Sequence, residues 1–146
     1  MLYIAADHAG FPLKEELKEF LAKEGYEVVD LGANELDLVD DYPDYAVKLA
    51  EQVAQDAEAG GILICATGQG MCMAANKVPG IRAVLVHNEF TALDAADHLD
   101  ANVICLGGKV TGSEEAKKLV KIWLDTEFNG DERLVRRLRK VEEMEE

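Results

Sequence analysis

The chain has 146 residues, which fits one domain, and it is 49% hydrophobic and 30% charged, so it can bury a core. Its formal net charge of −14, from 29 acidic and 15 basic residues, argues against nucleic acid or an anionic membrane as a partner. No apolar run approaches the roughly 18 residues of a membrane span, and Met1 leads directly into strand-like sequence, so we expect a cytoplasmic protein.

Apolar periodicity and turn residues divide the chain into alternating strands and helices. The predicted strands are residues 2–6, 26–30, 62–65, 82–86 and 101–106. The predicted helices begin at Pro12, Asp41, Met71, Asn88, about Gly112 and Asp131. Ala57 is predicted to lie on the inner face of the second helix. Leu134, Leu138 and Val141 are predicted to form the apolar stripe of the last helix. Thr111 and Glu114 resemble a capping box, and the acidic segment 31–41 is predicted to be a surface loop.

This alternation predicts an α/β fold with a doubly wound, Rossmann-like, five-stranded parallel sheet, because parallel neighbours are joined by right-handed crossovers. Residues 1–146 then form one domain that ends in an additional helix. Ligands of such sheets bind at the carboxyl ends of the strands. The functional residues are therefore expected there.

The block from Gly60 to Gly80 holds an apolar strand that stops at the glycine-rich loop Thr67-Gly68-Gln69-Gly70. Loop N–H groups at the carboxyl end of a strand can stabilise an anion or a developing oxyanion. The spacing fits neither a dinucleotide fingerprint, which needs glycine where Met73 stands, nor a P-loop.

Cys65 ends this strand and is a candidate base, because a thiol beside a helix N-terminus can have a lowered pKa. The alternative is a buried core cysteine. The three cysteines, completed by Cys72 and Cys105, form no Cys-x-x-Cys pair, so neither a metal site nor a disulfide framework is predicted.

Two further groups are predicted to converge on this loop: Asp7 with His8 after the first strand, and His98 just before the fifth. Each has a structural alternative, because Asp7 could cap a helix, His8 could be a surface residue and His98 could offset a helix dipole. His87, directly after the fourth strand, is a weaker candidate without an assigned role.

The last predicted helix carries a run of cations in an otherwise acidic protein. Arg133 and Arg137 are four residues apart, share a face and could grip one phosphate. The alternative is a solvated face whose cations complement the acidic tail Glu142, Glu143, Glu145 and Glu146.

The assembled residues resemble the family of ribose-5-phosphate isomerase B and the galactose-6-phosphate isomerase subunits. The resemblance covers nearly the whole chain, and its matching pieces are Ala6-Asp7-His8-Ala9-Gly10, Asp41-Tyr42-Pro43-Asp44-Tyr45-Ala46, GGILICATGQGMCMAANKVPGIRA, His98-Leu99-Asp100-Ala101-Asn102-Val103, and Gly130 with Arg133 and Arg137. It implies an aldose–ketose isomerase without metal or other cofactor, acting on a phosphosugar. It also implies a three-layer α/β/α sandwich whose sites form between subunits of a homodimer or a dimer of dimers.

The resemblance also implies residue roles. Cys65 would be the base of one branch, since the other branch has glutamate at the position of Met71. Thr67 and His98 would help to open the sugar ring. Asp7 would contact sugar hydroxyls, Asn102 would contact substrate, and the N–H groups of Gly68 and Gly70 would stabilise the enediolate. The phosphate would be bound by His8, Arg133, Arg137 and Lys109. No role is implied for Ala66.

Several positions depart from the family pattern. Leu99 replaces an asparagine that would contact substrate, Lys109 stands for an arginine, Leu134 for a histidine and Cys72 for a residue that is more often serine. These changes affect substrate identity more than reaction type. We expect ribose 5-phosphate and ribulose 5-phosphate as substrates, with a six-carbon phosphosugar or a non-catalytic phosphosugar-binding module as the alternatives.

Overall fold

The computed structural model describes residues 1–145, so Glu146, the last residue of the acidic tail, lies outside it. The strands are β1 (Leu2–Ala6), β2 (Val28–Asp30), β3 (Gly60–Cys65), β4 (Ala83–Leu85) and β5 (Val103–Gly107). The helices are α1 (Phe11–Lys23), α2 (Tyr42–Ala54), α3 (Gln69–Ala75), α4 (Glu89–Asp97), α5 (Ser113–Asp125) and α6 (Glu132–Glu142), followed by a 3₁₀ turn over Glu143–Glu145.

All five strands are parallel and lie in the order β2-β1-β3-β5-β4. After β1 the chain continues to the outer strand β2, and after β3 it continues to the opposite outer strand β4. The connections therefore run in opposite directions after these two neighbouring strands. Loops that follow strands on either side of such a reversal diverge and leave a crevice at the carboxyl edge. The predicted doubly wound sheet is confirmed.

The sheet is covered on both faces, which explains its continuous apolar strands. One core combines sheet residues such as Ile4 and Ile64 with α1, α4 and α5. The other combines Leu63 and Cys105 with α2 and α3. The three-layer α/β/α sandwich follows from these two cores. Among residues 1–145, no helix has both the length and the apolar character that crossing a bilayer requires.

Three local predictions were wrong. Helix α2 ends at Ala54, so Ala57 lies in the following turn and is exposed. The Thr111 capping box is absent, because the residue before α5 is Gly112 and the buried Thr111 hydroxyl has no hydrogen-bond partner among residues 1–145. On α6 only Leu134 is buried, and Val141 is 55% exposed.

Candidate active site

The loops after β1, β3 and β5 meet at the carboxyl edge of the sheet. The N–H of Gly108 donates to the carbonyl of Cys65 (2.8 Å), and that of Lys109 donates to the carbonyl of Ala66 (3.0 Å). A side chain at Gly108 would place its Cβ 2.7 Å from the carbonyl oxygen of Ala9, so glycine lets the first and last loops approach each other. The predicted convergence of Asp7, His8 and the Cys65 loop is therefore correct.

Cys65 ends β3 with its thiol against the glycine loop. It is only 5% exposed, and the N–H of Gly68 donates to its Sγ at 3.2 Å. Gly68 has a φ of +83°, a left-handed conformation that favours glycine and turns this N–H back toward the sulfur. Both readings of Cys65 thus hold in part, because it is buried and its sulfur also lies at the mouth of the loop.

This geometry gives Gly68 a different role from the predicted contact with an enediolate. Its N–H already donates to the Cys65 sulfur and is therefore not free for an enediolate oxygen. The N–H of Gln69 donates to the hydroxyl of Thr67 at 3.3 Å. The N–H of Gly70, in the first turn of α3, has no acceptor among residues 1–145 and remains available for an oxyanion.

Cys72 is the competing thiol. Its Sγ lies 3.3 Å from the carbonyl of Ala83 on β4, away from the loop. A hydrogen bond from Cys105 lowers the pKa of Cys72 to about 7 against the opposing effect of burial, and the same contact raises the pKa of Cys105. Cys72 therefore ionises readily, but its sulfur points toward the sheet.

Asp7 and His8 follow β1 directly. Asp7 is 5% exposed, and its Oδ1 accepts from the N–H groups of Ala9 and Gly10 at 3.0 and 3.1 Å, so it does cap the turn that leads into α1. Its Oδ2 makes no hydrogen bond within residues 1–145 and is left for a ligand hydroxyl. The capping and binding interpretations are compatible.

His8 contacts Asp40, a residue of the acidic loop before α2. His8 Nδ1 lies 2.7 Å from Asp40 Oδ1, and this hydrogen bond is the main reason why the pKa of His8 is raised. Burial and the charge of Lys109 oppose the increase, so the exposed Lys109 side chain belongs to the same part of the edge. Asp7, His8 and Asp40 also present three ligand atoms within 4.8 Å of one another.

His98 does not join this group within one chain, which corrects the prediction. It follows α4 and precedes β5, and a residue that precedes a parallel strand lies at the amino edge of the sheet. Val103, the first residue of β5, pairs with Gly61, whereas Cys65 pairs with Gly107. The four-residue offset from Gly61 to Cys65 corresponds to roughly 13 Å along the strand.

Asn102 also lies at the amino edge, so it does not reach the Cys65 loop of its own chain, and its contact with substrate stays a prediction. Its Oδ1 accepts from the N–H of Arg82 at 2.8 Å, and its Nδ2 donates to the carbonyl of Gly80 at 2.9 Å. The side chain thereby fastens the turn before β4 to the start of β5. Its polar atoms are satisfied by backbone groups.

Arg133 and Arg137 are exposed on α6, which packs at the same amino edge. The N–H of Asn129 donates to the carbonyl of Asp97 at 3.0 Å, and the side chain of Glu145 accepts from the N–H of Gly80, so both ends of the segment are fixed there. His98 is itself 45% exposed and lies within 3.1 Å of carboxylate oxygens of Asp94 and Asp97. Each chain thus presents two separate groups of predicted site residues.

A cavity of about 550 Å³ also opens at the amino edge, between Met1, Gly60, Asn102 and Trp123. Within the described part of the chain, no thiol, histidine, lysine or arginine lines it. The acidic side chains that line it include Glu27, Glu58 and Asp100, so a phosphate there would meet carboxylates and no cationic side chain.

Asp40 is the residue that sequence reasoning missed. Its side chain is 6% exposed, although it belongs to a loop that was predicted to lie on the surface. Nothing in the local pattern distinguishes it from Asp37 or Asp41, since its burial depends on the path of the loop back toward β1.

Comparison with known proteins places these features in context. A family model described as Ribose/Galactose Isomerase matches residues 2–141. A probable ribose-5-phosphate isomerase B of Mycoplasma pneumoniae is 47% identical over 88% of this chain and 85% of its own length. A D-erythrulose-4-phosphate isomerase of Pectobacterium atrosepticum is 41% identical over 87% and 84%. The crystal structure of Mycoplasma genitalium ribose-5-phosphate isomerase B with bound ribulose-5-phosphate superimposes with a TM-score of 0.95 at 44% identity, covering 99% of this chain and 95% of that one.

Proposed function

This chain belongs to the ribose/galactose isomerase family, and from that premise we propose that it interconverts ribose 5-phosphate and ribulose 5-phosphate through a cis-enediol. The observation that carries the proposal is the position of Cys65, whose thiol meets a glycine loop at the crevice of the sheet, beside Asp7 and His8. Residues 1–146 act as one isomerase domain without a cofactor.

The reaction needs a base, an oxyanion site and an anchor for the unreactive end. The Cys65 thiolate removes the C2 proton of the open-chain aldose, the C2–H electron pair forms the C1=C2 bond, and the carbonyl pair moves to O1. The N–H of Gly70 stabilises that oxyanion. Return of a proton to C1, with transfer of the O2 proton to O1, yields the ketose with no change in atoms.

The side chains of the carboxyl edge supply the remaining contacts of this half of the site. Thr67 has an exposed hydroxyl beside the loop and assists ring opening. Asp7 Oδ2 accepts from sugar hydroxyls, and His8 and Lys109 face the phosphate. A cytoplasmic location is part of the proposal, because Cys65 acts as a free thiol and reduced thiols persist in that compartment.

The other half of the site comes from a second subunit. His98, Arg133 and Arg137 lie at the amino edge of their own chain, away from its Cys65 thiol. A two-fold pair of subunits, as a homodimer or within a dimer of dimers, brings this group onto the Cys65 loop of the neighbour and forms two equivalent sites. There His98 assists ring opening and the two arginines bind phosphate.

The test is an isomerase assay with purified protein and aldose phosphates of four, five and six carbons. We expect the highest kcat/KM for ribose 5-phosphate. The likeness to a D-erythrulose-4-phosphate isomerase makes a four-carbon substrate the second candidate. Preference for a six-carbon phosphosugar would overturn the substrate assignment, and binding without turnover of any sugar would leave a phosphosugar-binding module.

A further inference from the structure

Asp40 contacts both the backbone and the ring of His8. Its Oδ1 accepts from the N–H of His8 at 3.1 Å and lies 2.7 Å from His8 Nδ1. The Asp40 side chain is 6% exposed, whereas that of His8 is 35% exposed. The Nδ1 edge of the imidazole ring is thus fixed by a buried carboxylate, while the rest of the ring remains accessible at the crevice.

The proton in this contact belongs to His8. A carboxylate only accepts hydrogen bonds, so Nδ1 carries the hydrogen and Nε2 is the ring atom left for a ligand. The charge of Asp40 also requires a counter-charge, because its Oδ2 is buried and makes no well-formed hydrogen bond among residues 1–145. The neighbouring Tyr45 hydroxyl is neutral and supplies no such charge; its own pKa is raised, first by burial and then by the charge of Asp40. A protonated His8 provides that charge.

We propose that Asp40 is a positioning residue that holds the His8 ring with Nδ1–H inward and keeps it cationic, so that Nε2–H faces the substrate phosphate. This inference rests on the proposed function, in which His8 contacts phosphate. Asp40 does not touch the substrate; it acts through His8. A charge-assisted Nε2–H···O–P hydrogen bond is stronger than one from a neutral ring, so Asp40 determines how tightly phosphosugar binds near neutral pH.

Other charged groups face His8, and their effects are distinct. Asp7 and Asp40 favour the imidazolium, whereas Lys109 and partial burial disfavour it. Asp40 is hydrogen-bonded to the ring itself, so removing its charge should change the pKa of His8 more than removing any other of these charges.

A divalent metal ion held by Asp7, His8 and Asp40 is the competing explanation. A metal shared with Asp40 Oδ1 would have to displace the contact of that oxygen with His8 Nδ1, whose 2.7 Å separation is that of a direct hydrogen bond. Asp7 Oδ1 is also occupied by two backbone N–H groups. The geometry therefore favours the ion pair.

The decisive variant is Asp40→Asn, which keeps an oxygen for both hydrogen bonds and removes the charge. Asp37→Asn is the matched control, because Asp37 lies in the same loop and its Oδ1 caps the N–H of Val39 instead. We expect Asp40→Asn to lower the His8 pKa measured by NMR and to raise KM for ribose 5-phosphate by about three- to tenfold near neutral pH, with little change in kcat. The control should change neither.

The pH dependence separates this role from a general loss of structure. At pH values below the His8 pKa of both proteins the ring is protonated in each, so the KM values of Asp40→Asn and wild type should converge. A KM increase of equal size at every pH, or an unchanged His8 pKa, would overturn the inference.

Loss of wild-type activity on chelation, restored by zinc, would assign Asp7, His8 and Asp40 to a metal site and overturn the inference. If wild type isomerises no phosphosugar, the proposed function fails, and the NMR measurement still decides whether Asp40 controls His8.

Discussion

Cys65 and His98 lie at opposite edges of one parallel sheet: Cys65 is the last residue of β3, and His98 precedes the first residue of β5. Parallel strands start at one edge and end at the other, so no adjustment of side chains brings these two residues together within a subunit. The proposed site, which contains both residues, therefore requires two chains.

The proposed shared sites predict complementation between variants impaired in different half-sites, assayed below the wild-type KM, where each variant alone turns over little substrate. In a heterodimer of Cys65→Ala with Arg137→Ala, one site carries both changes and the other carries neither. Random mixing of subunits should therefore restore about a quarter of wild-type activity. The measurement is turnover after co-expression, with the pair Cys65→Ala and Thr67→Ala as control, because both changes fall in the same half-site. Equal recovery in the two mixtures, or an active monomer by light scattering, would contradict the arrangement.

Cys65, and not Cys72, is predicted to be the base. Cys65→Ala should lower kcat by about 10²–10⁴-fold, the contribution of a positioned acid–base group, while substrate still binds. Cys72→Ser should stay active with an unchanged pH profile, although the pKa of Cys72 is lowered to about 7, because its sulfur faces Ala83. Exchange of the substrate C2 hydrogen with solvent reports the step directly. Normal exchange in Cys65→Ala together with loss in Cys72→Ser would reverse the assignment.

The arginines of α6 are predicted to bind phosphate. Arg133→Ala or Arg137→Ala should weaken binding of phosphosugar by about 1.5–3 kcal/mol, or roughly 10- to 150-fold in KM, through loss of charge-assisted hydrogen bonds. Arg139→Ala is the control, because Arg139 lies on the other side of the helix and lines a groove against Arg82 of its own subunit. Unchanged KM values in both variants would place these arginines on a solvated face and leave Lys109 as the phosphate ligand.

Lys14 is predicted to stabilise the fold. Its Nζ is fully buried and donates to Asp30 Oδ2 and to the carbonyl of Ala33, both at 2.6 Å. Lys14→Met should lower the free energy of unfolding by about 3 kcal/mol, because it leaves a carbonyl unpaired and a partly buried carboxylate with one cation fewer. Lys18→Met removes the more exposed partner of Asp30 and should cost less than about 1 kcal/mol. Urea denaturation compares them, and equal losses would be inconsistent with the role of burial.

The same cluster predicts a pH dependence of stability. Burial alone would raise the pKa of Asp30, but hydrogen bonds from Lys14, Lys18 and the N–H of Gly32 lower it. A folded-state pKa below the unfolded value contributes stability above the unfolded pKa and loses it as pH falls through the folded pKa. Wild type should therefore lose stability on acidification, and Lys14→Met should lose less over the same range. Parallel curves of unfolding free energy against pH would refute this.

Short-range sequence patterns determine the strands of this protein and the order in which strands and helices alternate. The limits of β1 were predicted to the residue, and Cys65 was placed correctly at the end of β3, because an apolar run bounded by glycine determines a buried strand and its end locally. Alternating strands and helices also determined the parallel sheet, since crossover connections leave few other arrangements. The placement of Asp7 and His8 beside the Cys65 loop followed from that topology.

Only the tertiary structure decided which predicted site residues meet. The pairing of Gly61 with Val103 sets the start of β5 at the amino edge, and that register removes His98 and Asn102 from the Cys65 loop of their own chain. The loop path between β2 and α2 carries Asp40 back to His8, more than thirty residues earlier in the sequence. Both outcomes depend on contacts between distant parts of the chain, and a local pattern of charge and hydrophobicity holds no information about which distant backbone a given aspartate or histidine will reach.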